Sequence, residues 1–377
     1  MIYVDVSAAV HAKAGIGRYA GSLAQALVEL QPGRITLFFN RGRTATLPPG
    51  LESVPARSIR AGYKPWRMAV WLGQRAGLGF THLMPDATLF HATEHLLPPL
   101  SDLPTVLTVH DMIFKRFPEH QKRLNYWYLN ATMPLYCQRA SAIITVSQAS
   151  KRDIVADYGL DPAKVTVIYE AASSEFKPAS PGVADQARRC YGLPERYLIH
   201  VGTIEPRKNL TRLVEALKRL RDSGLHIPLV VVGGKGWLYD DFFRRLEALE
   251  MEDAVCFPGY VPDDDLVALY SAAVATVMPS VYEGFGLPVL ESMACGTPVL
   301  ASNSSSLPEL GGEAAHYFDP YDVAAVAASI REVWTKAGLQ EEMATLGLQQ
   351  AARFSWARAA AETLAVYSRT IAAKGDL

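Results

Sequence analysis

The stretch Pro279-Ser280-Val281-Tyr282-Glu283-Gly284-Phe285-Gly286-Leu287-Pro288-Val289-Leu290-Glu291-Ser292-Met293-Ala294-Cys295-Gly296-Thr297-Pro298-Val299-Leu300 decides how this chain is read. Pro288 suits a first helical turn, where its missing N–H has no partner to lose, so a helix begins at about Leu287. Gly296 followed by Thr297-Pro298 ends that helix, and Val299-Leu300-Ala301 reads as a short buried strand. The backbone N–H groups of Gly286 and Leu287 then point out of a helix N-terminus, where the partial positive charge suits phosphate or sugar oxygens. Glu283 precedes this terminus and Glu291 follows it, so two carboxylates flank the same place and can accept hydrogen bonds from vicinal hydroxyls. A ligand carrying both phosphate and hydroxyls, such as a nucleotide sugar, is the simplest that fits.

Outward from this segment, strand-like apolar runs recur in two series. The first comprises Ile2 to Val6, Ile35 to Phe39, Leu89 to His91, Thr105 to Val109, Ala142 to Val146 and Val165 to Ile168. The second comprises Tyr197 to Val201, Leu229 to Val232, Ala254 to Phe257, Ala275 to Val277, Val299 to Ala301 and Ala315 to Phe318. Helical patterns lie between them, among them Arg18 to Leu30, Leu210 to Ser223 and Tyr239 to Leu249. Strands alternating with helices imply parallel sheets covered on both faces, and the pattern occurs twice. The fold class is therefore α/β with two doubly wound domains: residues 1–170, a linker at 171–183 where periodicity fails, and residues 184–355. A last helix, 356–377, is long enough to return to the first domain. Ligands of open parallel sheets bind outside the carboxyl ends of the strands, so two such domains facing each other would enclose an interdomain cleft.

Composition agrees with this size. A chain of 377 residues exceeds what one core usually supports, and 49% hydrophobic with 20% charged residues is ordinary for a soluble globular protein. Cys137, Cys190, Cys256 and Cys295 are scattered, which argues against zinc and for reduced thiols in a cytoplasmic protein. No apolar run reaches the roughly 20 residues needed to span a bilayer, and the chain opens directly on a strand pattern, so no signal peptide is expected. Residues 1–170 carry 18 Lys and Arg against 12 Asp and Glu. That excess suits an anionic partner such as a membrane surface or a phosphate-bearing acceptor, and equally an uneven solvated surface. No nucleic-acid partner is expected.

Several loops that follow strands carry chemistry. Gly202-Thr203-Ile204-Glu205-Pro206-Arg207-Lys208-Asn209-Leu210 sets two cations beside a helix start, where they oppose the helix dipole. Arg207 can grip two phosphate oxygens and Lys208 adds a compact charge, as a departing diphosphate requires. His110-Asp111 stands at a strand's carboxyl end, placed for a substrate hydroxyl or for a structural role. Gly15-Ile16-Gly17-Arg18 joins the first strand region to a helix and could present N–H groups to phosphate, but Ala20 breaks the dinucleotide fingerprint. Val232-Gly233-Gly234-Lys235-Gly236 is either a nucleotide-approach loop or a tight turn. Asp263-Asp264-Asp265 reads as a helix start rather than a metal site, and Gly259-Tyr260-Val261 before it could line a base pocket. Arg57 to Arg75 interleaves cations with Trp66, Met68, Trp71 and Leu72, as either an interfacial helix or a core helix with a solvated face.

Taken together, Gly15 to Tyr19, His110-Asp111 with Phe117-Pro118-Glu119, Thr145-Val146-Ser147, Gly202 to Leu210 and the Glu283/Glu291 segment resemble the retaining glycosyltransferases of family four. That family has the GT-B architecture of two facing Rossmann-like domains, and within it the chain is most similar to bacterial polysaccharide mannosyltransferases. The resemblance implies that Glu283 and His110 meet the donor sugar and that Phe285, Gly286 and Leu287 surround the sugar and phosphates. It also implies that Glu291 accepts from the ribose, that Arg207 and Lys208 hold the diphosphate, that the Gly15–Gly17 loop closes the phosphate end, and that Gly202 belongs to the donor-binding residues. No metal or other cofactor is expected, the cations taking the metal's place.

The expected reaction is transfer of a hexose, with mannose from GDP-mannose as the first choice, to a glycan on a polyprenyl diphosphate lipid at the inner face of the membrane. A UDP-sugar transferase such as one using UDP-glucose, a nucleotide-sugar epimerase, a glycan phosphorylase and a non-enzymatic scaffold are the alternatives. Tyr169-Glu170-Ala171-Ala172 departs from the Asn-Gly-Val-Asp common in relatives, at the hinge.

Overall fold

The computed structural model describes residues 1–11, 14–41 and 46–375. It divides into two compact units, each built on one parallel sheet.

The first unit comprises residues 1–116, 123–170 and 355–377. Its strands are β1 (Ile2–Asp5), β2 (Ile35–Asn40), β3 (Ala56–Ile59), β4 (Leu89–Ala92), β5 (Thr105–Val109), β6 (Ala142–Thr145) and β7 (Val165–Val167). They lie in the order β3-β2-β1-β4-β5-β6-β7, every pair parallel. Central strands such as β2, β4 and β5 are buried along their whole length, which is why they read as unbroken apolar runs. The edge strand β3, Ala-Arg-Ser-Ile, is largely exposed and carries no such signal. The basic stretch from Arg57 is therefore two elements, this edge strand and a helix at Tyr63–Ala76. The last helix, Trp356–Gly375, belongs to this unit, and its Tyr367 hydroxyl lies 2.6 Å from Nδ1 of the buried His91 on β4.

The second unit comprises residues 117–122 and 171–354. Its strands are β8 (Leu198–Val201), β9 (Leu229–Val232), β10 (Val255–Gly259), β11 (Ala275–Met278), β12 (Val299–Ser302) and β13 (Ala315–Phe318), in the order β10-β9-β8-β11-β12-β13. Alternate residues enter opposite cores. Leu198, Leu229 and Val231 pack with Leu213, Leu217 and Ile330. Ile199, Val230 and Val232 pack with Tyr197, Leu269 and Tyr270.

Two boundaries differ from the sequence reading. Phe117–Lys122 belongs to the second unit, where the Phe117 ring meets Tyr282 and the His120 carbonyl accepts from the Trp237 indole N–H. Residues 181–183, read as linker, open the Pro181–Cys190 helix. In each sheet the strand order reverses once, between β1 and β4 in the first and between β8 and β11 in the second. The loops leaving those strands are where such folds hold ligands.

Candidate active site

In the second unit the loops after β8 and β11 meet at the switch point. Pro206–Lys208 forms one tight turn, ended by Asn209 in the left-handed conformation, and the Leu210–Asp222 helix follows. Asn209 Nδ2 donates to the Pro279 carbonyl at 3.0 Å, and the Val281 N–H donates to the Arg207 carbonyl at 2.9 Å. These bonds clamp the cationic turn against the Glu283 loop.

The charges form one cluster. Lys208 Nζ donates to Glu283 Oε1 at 2.6 Å, the Ser280 hydroxyl donates to the same oxygen at 2.6 Å, and Arg207 pairs with Oε2. Arg207 Nε also lies 2.6 Å from Glu205 Oε1. Glu205, Lys208 and Glu283 are buried, and the Arg207 side chain is the most exposed of the four at 23%. Burial by itself would raise the Glu283 carboxyl, but Arg207 and Lys208 outweigh it and hold it down at about 2. Burial depresses the Lys208 ammonium, with Glu283 opposing. His200 on β8, its Nδ1 2.9 Å from the Val277 carbonyl oxygen, is kept neutral first by burial and then by Lys208, at about 4.

The helix Leu287–Ala294 begins as its sequence implies, with Gly286 as N-cap and Pro288 at its second position. Gly286 has φ +117, and a β-carbon there would strike Leu307 Cδ2 at 2.7 Å. The loop entering this helix is pinned from after β12: Ser305 Oγ accepts from the Glu283 N–H at 2.8 Å, and the Ser306 hydroxyl donates to the Glu283 carbonyl at 3.0 Å. Glu291 is buried in the helix and accepts from the Tyr270 hydroxyl at 3.2 Å. Phe285 and Leu287 are buried as well.

Gly202 and Gly233 lie back to back, for a β-carbon on Gly233 would overlap the Gly202 carbonyl. The glycine run after β9 therefore serves a close approach of two backbones, held by Ile204 N–H to Gly234 O at 3.0 Å and Gly236 N–H to Ile204 O at 3.1 Å. Tyr260 is 82% exposed, whereas the Val261 side chain is part of the core, so only its backbone can face a ligand. Asp263, Asp264 and Asp265 open the Asp263–Ala272 helix, and Asp265 accepts from the Tyr191 hydroxyl at 2.6 Å.

In the first unit His110 follows β5 and is buried. Its Nε2 is 2.9 Å from the Thr93 carbonyl oxygen, its Nδ1 is 3.6 Å from Glu170, and the Tyr19 ring stands edge-on at 4.7 Å. Gly15 and Gly17 are not in a connecting loop. They fall in the first turn of the Ala14–Leu30 helix, which begins four residues before the expected Arg18, and a β-carbon on Gly17 would press on the Ala8 carbonyl at 2.8 Å. Pattern reading stopped the helix short because glycine is a poor helix former.

The sequence reading named Arg207, Lys208 and Glu283, and the structure brings these three together. It missed Ser280, Ser305, Ser306 and Glu170, and gave Glu205 no role. A carboxylate two residues before a basic pair was a usable signal; the serines had none. Two family models match: "Glycosyltransferase Family 4" over residues 14–175 and "Glycosyl transferases group 1" over residues 187–350.

The chain is a family-4 glycosyltransferase.

This glycosyltransferase is 34% identical over 281 residues to the O-antigen chain mannosyltransferase B of Escherichia coli, a match covering 74% of each chain. Among solved structures, sucrose-phosphate synthase from Thermosynechococcus elongatus superposes with a TM-score of 0.77 at 20% identity, over 99% of both chains. Anabaena HepE, in complex with UDP and glucose, superposes with a TM-score of 0.73 at 18% identity, over 97% of this chain and 99% of that one. The fold is GT-B, and the Glu283 cluster lies in the part matched by the group 1 model.

Proposed function

We propose that this glycosyltransferase moves mannose from GDP-mannose, with retention, onto a glycan carried by a polyprenyl diphosphate, in cell-surface polysaccharide assembly on the cytoplasmic side of the membrane. The observation that carries the donor half is the pairing of Arg207 and Lys208 with Glu283 beside a helix N-terminus. Cations and backbone donors suit a diphosphate, and the carboxylate suits a sugar hydroxyl. The choice of mannose rests on the relative named an O-antigen chain mannosyltransferase.

Both Glu283 oxygens are taken, one by Lys208 and Ser280 and the other by Arg207. This favours a recognition role over that of a nucleophile, which a double displacement would need free. Retention would then come from attack of the acceptor hydroxyl on the face that the diphosphate leaves. Arg207, Lys208 and the helix terminus are the groups that would stabilise the leaving diphosphate without a metal. A UDP-sugar donor is the second reading, favoured by the UDP and glucose complex of HepE.

A thermal-shift panel of GDP, UDP, ADP and their sugars tests the donor, since the tighter ligand raises the melting temperature more at equal concentration. GDP-mannose is expected to give the largest shift, and a larger shift with UDP-glucose would move the assignment to the second reading. In the transfer assay the product should be the α-anomer and EDTA should leave the rate unchanged; β-product or loss with EDTA contradicts the mechanism.

The acceptor reading includes contact with an anionic membrane. Among the described residues no helix is long and apolar enough to cross a membrane. The Tyr63–Ala76 helix nevertheless exposes Lys64, Met68, Leu72 and Arg75, and Arg123–Arg139 exposes Leu124 at 83% and Trp127 at 66%. Tyr128 OH donates to the Arg67 carbonyl at 3.2 Å, joining the two helices. Residues 57–85 and 123–139 together hold seven Lys and Arg and no carboxylate, which supports an anionic lipid surface as the partner. The protein should co-sediment with phosphatidylglycerol vesicles in low salt and not with phosphatidylcholine alone, and L124S/W127S should weaken this about tenfold. Equal binding to both vesicles would exclude the electrostatic contact.

A further inference from the structure

Glu170 is the last residue of the first unit before the chain passes to the second. Its side chain turns back into its own unit, buried, with Oε1 3.6 Å from His110 Nδ1. On the other side of the ring, Nε2 lies 2.9 Å from the Thr93 carbonyl oxygen, which can only accept. Both ring nitrogens thus face acceptors, an arrangement satisfied fully only by the doubly protonated imidazolium.

We propose that Glu170 is a positioning residue that keeps His110 protonated and fixes its ring plane. The proposal rests on the reading that His110 stands beside the donor sugar, where a fixed positive charge would favour departure of the diphosphate.

The other groups around the ring support the same state. Asp111, next in the chain, favours the cation. His95 accepts the His110 backbone N–H at Nε2, at 3.0 Å, so it is unprotonated at that nitrogen. His91 is held neutral by burial, at about 3, with its Nε2 2.8 Å from the Thr108 hydroxyl, so it adds no competing positive charge. Burial likewise keeps the Tyr19 hydroxyl protonated, 3.0 Å from that same Thr108 hydroxyl. Burial of His110 itself opposes its charge, and Glu170, with the Thr93 carbonyl and Asp111, outweighs that opposition, raising the imidazole above its ordinary value.

The test is an NMR titration of the His110 ring in the whole protein without substrate, alongside the pH profile of kcat/KM. Wild-type His110 should titrate above the ordinary histidine value, E170Q should lower its midpoint by about one pH unit or more, and E170D, which keeps the charge, should recover most of the difference. Unchanged midpoints in E170Q overturn the proposal, as does a wild-type ring that titrates below the ordinary value, a result that needs no folded variant. If His110 serves transfer, the alkaline limb of kcat/KM moves down in E170Q by the same amount as the ring. A shifted ring with an unmoved limb leaves the pair standing and removes His110 from the transfer step.

Discussion

Glu283→Ala should reduce kcat by about 100-fold or more and lower the unfolding free energy by about 3 kcal/mol at neutral pH. The two losses have one cause. Without the carboxylate, Lys208 is left buried without its partner at 2.6 Å, while Arg207 keeps Glu205 and the Tyr282 carbonyl. Removing one partner of a buried ion pair leaves an uncompensated charge, which costs more than the pair itself contributes. The stability gap between wild type and variant should also depend on pH. The Glu283 carboxyl is depressed in the folded state, so its contribution is present above the ordinary 4.5 and is lost as pH falls towards about 2. Urea unfolding at neutral pH and at about pH 3, between those two values, reads this directly. A gap that widens on acidification, or a variant as active as wild type, would refute the arrangement.

The second large effect is expected of Gly233→Ala, a single added methyl. Gly233 has φ +139, and its β-carbon would overlap the Gly202 carbonyl, a backbone atom that no side-chain rotation can move aside. Strain at such a φ and overpacking together should cost ~3 kcal/mol. Relief by moving the Gly202 strand end would carry Glu205, Arg207 and Lys208 with it, so nucleotide-sugar affinity should fall as well. Gly234→Ala is the control, because its β-carbon meets nothing within 4 Å and its φ is not in the left-handed region. Melting temperatures of the two variants should differ by several degrees; equal values would mean that the two loops are free to separate.

Why the sequence disclosed some of this and not the rest follows from the range of each interaction. Strands buried on both faces cannot avoid apolar runs, so β2, β4, β5, β8, β9 and β11 were legible. The edge strand β3, with one side open to solvent, was not, and it was absorbed into the helix after it. The Leu287–Ala294 helix was legible because Pro288 and Gly296 restrict the backbone locally. Gly15 and Gly17 misled for the same local reason, since tertiary packing on Ala8 holds them in a helix that their propensity disfavours.

The candidate site divides along the same line. Arg207, Lys208 and Glu283 were selected by residue type and by their place after strands, both of which are properties of the sequence. That Glu283 takes both cations at once, that Ser305 and Ser306 fix its loop, and that Gly202 and Gly233 press together depends on segments from 22 to 76 residues apart. So does the pairing of His110 with Glu170, 60 positions on in the chain. By itself the sequence determined the two parallel sheets, the helix terminus and the family, because periodicity and backbone restriction act within a few residues. Only the tertiary structure decided which charges are buried together, because burial and ion pairing require the sheet order that brings β8 beside β11 and His110 beside the end of its own unit.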